Sequence, residues 1–128
     1  MKEPYWLTRE ECMALHGMML SQYGGLSGVR DENLLESALA KPQNLFAYGK
    51  PSMAQLAASY AVGVVKNHPF LDGNKRTGFM LGAGFLERNG YRFAASEAEA
   101  ALRTLALAAG EMSEAEYAEW LGANSHKA

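Results

Sequence analysis

The chain has 128 residues, of which 48% are hydrophobic and 20% charged, enough for one domain that buries its own core and too apolar for intrinsic disorder. A formal charge of −2 and a pI near 5.9 exclude a strongly basic field for a nucleic-acid backbone, and the single Cys12 excludes an intramolecular disulfide. No run approaches the roughly 18 apolar residues of a membrane span, and "MKEPYWLTREE" has charge and a proline where a secretory leader needs an apolar core, so a cytoplasmic protein with no direct nucleic-acid or membrane partner is expected.

Thr8 and Glu11 have the spacing of a capping box, in which each side chain satisfies the other's backbone N–H. They predict a first helix over 9–23, stopped by Gly24 and Gly25, with Leu15, Met18 and Met19 as its core face. Asp31 caps a second, "ENLLESALAK", whose stripe of Leu34, Leu35, Ala38 and Leu39 stops before Pro42, and a turn-rich loop is expected over 42–51. Ser52 with Gln55 opens a third helix over 53–67, with Ala57, Ala61, Val64 and Val65 buried and an end forced before Pro69. A fourth starts at Asn74 or Lys75 and runs to Gly90, with Gly78, Gly82 and Gly84 permitting close approach of a neighbour. After a short extended "YRFAA", Ser96 with Glu99 and Ser113 with Glu116 open two last helices over 97–109 and 114–121, and the tail 122–128 is expected to fray. No alternation is long enough for a sheet. The expected fold is all-α: one domain over 1–128 with its core at about 8–121, about six helices, and a central buried pair joined by "NHPFLDGNKRTG".

That connecting stretch carries the chemistry. It meets the N-terminus of the fourth helix, where unpaired backbone N–H groups and the positive dipole end favour an anion. Gly73 lets the backbone curl so that successive amides aim at one point, and Asn74 can add a side-chain donor. Lys75 and Arg76 lie in the first turn, an unfavourable place for cations unless an anion such as a polyphosphate sits beside them. Asp72 offers a hard oxygen for a magnesium ion shared with phosphates, and His68 can take a proton from a hydroxyl near neutral pH. Phe70 points to the core and fixes the loop. Singly, each has a plainer role: His68 as a C-terminal cap, Asp72 and Gly73 as a turn, Lys75 and Arg76 as a solvated face. Their coincidence within nine residues at one helix start points to a site.

"HPFLDGNKR" fills every specified position of H-x-F-x-[D/E]-[G/A]-N-[G/K]-R, and so resembles the signature of the Fic/Doc superfamily. Lys75, where nucleotidyl-transferring Fic enzymes usually have a second glycine, makes it similar to the Doc (death-on-curing) branch in particular. "LTREECMALHGMMLSQYGGLSGVRDENLLESALAKP" and "FLERNGYRF" extend the likeness from Thr8 to about Leu121.

The resemblance implies the toxin of a bacterial toxin–antitoxin module, a kinase using ATP and Mg2+ to phosphorylate a threonine of elongation factor Tu and arrest translation. AMP transfer to a protein hydroxyl is the alternative within the fold, and a non-catalytic partner-binding module the alternative of another class. Carried over, His68 activates the target hydroxyl, Asp72 binds magnesium, and Gly73, Asn74, Lys75 and Arg76 hold and polarise the phosphates, with Pro69 and Phe70 structural. Residues 24–31 correspond to a flap beside the site, which makes Arg30 and Asp31 candidates for substrate placement. Phe79 stands where Fic enzymes carry a further arginine, Met80 where Doc-type motifs often have asparagine, and Gly73 where the best-known Doc motif has alanine. The inhibitory [S/T]-x-x-x-E-[G/N] helix of part of the superfamily is not found. Restraint is therefore expected in trans, from a Phd-like antitoxin whose tail folds against a groove of the first two helices edged by Met13, Met18 or Met19.

Overall fold

The computed structural model describes residues 2–128. Its elements are α1 (Arg9–Tyr23), α2 (Glu32–Tyr48), α3 (Met53–Asn67), α4 (Asn74–Arg88), β1 (Tyr91–Phe93), α5 (Glu97–Ala108), α6 (Glu114–Ala123) and β2 (Ser125–Lys127). Complete capping boxes open α1, α3 and α6. At α5 the box is half made: Ser96 accepts from the Glu99 N–H, while the Glu99 carboxylate accepts from Trp120 Nε1 at 3.2 Å. No described helix is long and apolar enough to cross a membrane.

The core is organised around α3, which packs against α2, α4, α5 and α6 and buries Leu56, Ala57, Tyr60, Ala61, Val64 and Val65. Small residues on α3 and α4 let the neighbours come close. A Cβ on Gly63 would lie 2.9 Å from Ala38 Cβ of α2, one on Gly78 2.6 Å from Val65 Cγ2, and one on Gly82 3.0 Å from the Ala57 carbonyl. Gly84 is different: a Cβ there would meet only Leu15 Cδ1, at 3.8 Å. On the far side of α4, Phe79, Phe93, Tyr117 and Trp120 form an aromatic cluster with neighbouring centroids 5.3–6.2 Å apart.

Three sequence expectations give way here. Pro42 does not end α2, which runs on to Tyr48 and leaves only a short connection before α3. An interior proline loses one helix bond and crowds the carbonyl a turn back, a cost of about 3 kcal/mol. Opposing it, Pro42 is itself buried, Lys41 pairs with Glu114 at 2.8 Å, and Phe46 packs edge-on against Trp6 with centroids 5.6 Å apart. The tail does not fray either: 122–123 complete α6, and β2 pairs antiparallel with β1 in the register Arg92↔His126. A lone extended segment leaves its backbone groups unpaired, and the tail is the nearest chain able to satisfy them. Finally, α1 buries Cys12, His16 and Met19, whereas Leu15 is half-buried and Met18 is exposed.

Burial pushes the Cys12 thiol up to about 11, opposed weakly by the Arg9 charge. Because the raised value keeps the thiolate fraction minute at pH 8, native protein is expected to resist iodoacetamide for hours and to react at once in urea, as mass spectrometry of the adduct would register.

Candidate active site

The loop between α3 and α4 is shaped from its first residue onward. His68, the C-cap of α3, adopts the left-handed conformation (φ 53°, ψ 57°), the only non-glycine among the described residues with positive φ. Such a backbone costs of order 1 kcal/mol and persists only where its surroundings enforce it. Arg30 does so. Its Nε donates to the His68 carbonyl at 2.7 Å and its Nη2 to the Asn67 carbonyl at 2.9 Å, satisfying the orphan acceptors at the negative end of α3. The segment 24–31 lies alongside as a short ribbon: Val29 bridges Phe70, the Arg30 and Asp31 amides donate to the Pro69 carbonyl, and the Leu71 amide donates to Gly28. His68 is left with its side chain exposed at the end of α3.

Phe70 is fully buried, as expected, and Asn74 folds the loop back onto it. The Phe70 amide donates to Asn74 Oδ1 and Asn74 Nδ2 donates to the Phe70 carbonyl, each at 3.0 Å. Both polar ends of this buried side chain are therefore engaged within the loop. Asn74 thus shapes the cradle from within, with its backbone amide opening the first turn of α4.

Gly73 is the N-cap of α4 in the left-handed conformation (φ 79°) and offers no side-chain cap. The other five helices are each capped by a side chain: Thr8, Asp31, Ser52, Ser96 and Ser113. The first-turn amides of α4 are consequently the ones without a built-in acceptor, and they open where Lys75 and Arg76 are exposed. This arrangement can take an anion. The exposed Asp72 carboxylate stands beside them, with Oδ2 accepting the Leu26 amide of the ribbon at 2.8 Å. Gly25 makes that contact possible, since a Cβ there would lie 3.1 Å from Asp72 Cβ.

The structure thus holds His68, Asp72 and Gly73 in the α3–α4 loop and Asn74, Lys75 and Arg76 in the first turn of α4, with Arg30 and Asp31 bonded to backbone groups. Asp31 Oδ1 caps α2 through the Leu34 amide at 3.1 Å, as its place in the sequence predicts, and Arg30 caps α3 through Nε and Nη2. Arg30→Ala is expected to cost about 1–2 kcal/mol in urea denaturation, allowing for exposure of the guanidinium, and to loosen the His68 conformation.

Sequence reasoning missed two side chains of α1. His16 is buried, its ring stacked on Phe70 with centroids 3.8 Å apart, and its Nε2 lies 2.8 Å from the Asp72 carbonyl. Tyr23 lies under the Arg76 guanidinium, 4.1 Å from Cζ to the ring centre. The helical spacing Cys12, His16, Met19, Tyr23 was the available signal, hidden because apolar pattern alone passes over a polar ring.

A groove of about 530 Å3 runs from Lys75 and Arg76 between α1, α4 and α5, walled by Met18, Tyr23, Phe79, Met80 and Leu105. The groove expected at the first two helices is met in part: Met18 and Met19 of α1 line this one, while α2 contributes nothing to it and Met13 packs against the core. Phe79, in the place of a possible further arginine, has its ring among the aromatic cluster.

Comparison with known proteins points to one family. The family described as Fic/DOC matches residues 6–86, the stretch that contains α1 to α3, the loop and most of α4. A relative from Escherichia phage P1 named protein kinase doc is 35% identical over 116 residues, 90% of this chain and 91% of its own. A Mycolicibacterium smegmatis protein named toxin Doc is 36% identical over 93 residues, 70% of this chain and 68% of its own.

Proposed function

Because the chain belongs to the Fic/DOC family, we propose that it is the toxin of a bacterial toxin–antitoxin module, acting in the cytoplasm as an ATP- and Mg2+-dependent kinase. Its substrate in this reading is a threonine hydroxyl of a translation factor, elongation factor Tu being the expected one, and the consequence is arrested translation. The observation that carries the proposal is the uncapped start of α4, flanked by exposed His68 and Asp72 with two cations in its first turn. The name of the phage relative supports phosphoryl transfer over AMP transfer, as does the aromatic Phe79 in place of a further arginine.

In this reading the first-turn amides and Gly73 bind the terminal phosphates, while Lys75 and Arg76 balance their charge. Asp72 would hold the magnesium ion, and with no group of three His, Cys, Asp or Glu side chains gathered among the described residues, phosphate oxygens and water would supply its other ligands. Magnesium there would neutralise phosphate charge. His68 accepts the proton of the threonine hydroxyl as its oxygen bonds to the γ-phosphorus and the bond to the ADP oxygen breaks. The groove beyond Lys75, with exposed Met18 and Leu105, suits the amphipathic helix of a Phd-like antitoxin.

One observation favours the AMP-transfer alternative: Gly73 keeps the open, left-handed nest typical of nucleotidyl transfer. Incubation with elongation factor Tu and ATP labelled at the α or the γ position separates the two. Label from the γ position on the target supports the kinase, label from the α position supports AMP transfer, and label from neither, with growth arrest intact, supports a binding module.

A further inference from the structure

We propose that His16 is a positioning residue of the phosphate site, holding the peptide that joins Asp72 to Gly73 in the one orientation that presents an amide to the anion. Its consequence for catalysis rests on the kinase reading. The geometry stands apart from it.

His16 lies in the middle of α1 and is 2% exposed. Burying an imidazole is unfavourable unless its polar edge is hydrogen-bonded. Here the partner is the Asp72 carbonyl, 2.8 Å from Nε2, and since a carbonyl only accepts, Nε2 carries the hydrogen. The ring lies nearly parallel to Phe70, at 11°. One side chain therefore grips both ends of the 70–72 segment, by stacking at one and by a hydrogen bond at the other.

The peptide it holds is the critical one. Across a trans peptide the carbonyl and the following N–H point in opposite directions. Drawing the Asp72 carbonyl toward α1 turns the Gly73 amide away from α1. Gly73 is the residue at which this peptide can flip most easily, because glycine has no Cβ to resist either orientation. A flipped peptide would present a carbonyl dipole to the phosphates and convert an attractive nest into a repulsive one. Leu20, one turn after His16, closes the same side, 3.5 Å from where a Gly73 Cβ would stand.

The test uses His16→Phe, which keeps the stack and loses the donor, and His16→Gln, which keeps a donor and loses the ring. Three quantities are followed: transfer from γ-labelled ATP, the Kd for ATP by calorimetry, and the 15N–1H resonance of Gly73 in nucleotide-free protein. H16F is expected to weaken both ATP binding and transfer about 10-fold or more. Its melting temperature should stay near wild type while the Gly73 resonance moves, and H16Q should recover most of the loss. A wild-type Gly73 resonance with wild-type transfer in H16F overturns the proposal, as does an H16Q as impaired as H16F. Should H16F not fold, His16→Met, which has neither ring nor donor, takes its place. If the wild-type protein transfers no phosphate, the kinase reading falls, and the Gly73 resonance of the variants still decides the role of His16.

Discussion

His68→Asn is expected to lower transfer to the target by at least about 100-fold, the loss that follows removal of a general base, and to abolish growth arrest on expression, while the urea midpoint stays where it was. Asparagine is the informative replacement because it tolerates the left-handed backbone that His68 adopts, so lost activity cannot be charged to a rearranged C-cap. His68 is exposed and contributes no core contact, which predicts an intact fold. Growth arrest that survives the substitution would assign toxicity to binding alone, and an unchanged rate would remove His68 from the chemistry.

The largest stability effect is expected at Gly78. Alanine there places a Cβ 2.6 Å from Val65 Cγ2 and 3.0 Å from the Ala61 carbonyl, and only the side chain can move aside cheaply. The gain of about 1 kcal/mol in helix propensity is outweighed by overpacking of about 3 kcal/mol, a net loss of about 2 kcal/mol in urea or thermal unfolding. Gly84→Ala in the same helix is the control with the opposite sign: its Cβ meets only Leu15 Cδ1 at 3.8 Å, so a gain approaching 1 kcal/mol is expected. Because the loop that joins α3 to α4 carries His68 and Asp72, a change in α3–α4 spacing from Gly78→Ala should also lose transfer, and Gly84→Ala should not. Equal stabilities for the two variants would show that α3 and α4 can part without penalty.

The site was legible in the sequence to the extent that it is local. Gly73, Asp72, Lys75 and Arg76 lie at one helix start, and the pairing of an uncapped N-terminus with first-turn cations can be read from their order alone. The roles of Arg30 and Asn74 were not legible, because their backbone partners are fixed only by folding, whereas the Asp31 cap is local and is read from its place just before α2. Arg30 reaches carbonyls at Asn67 and His68, Asp31 is claimed by the amide of Leu34, and both ends of Asn74 are taken by Phe70. A polar residue beside a site reads as a ligand contact until its hydrogen bonds are located.

The same division holds for the fold. Capping boxes, stop glycines and apolar spacing act within a few residues, and they determined α1, α3 and α4 nearly to their ends, along with the composition of the loop. Pairings distant in sequence were decided by tertiary structure: Lys41 with Glu114, which helps carry α2 past Pro42, and β1 with β2, which orders the tail. His16 against Phe70 and Asp72 is of the same kind, a contact across 56 positions of chain that no local pattern encodes. Local sequence fixes where a backbone turns, whereas the partners of its polar groups depend on which segments the core brings together.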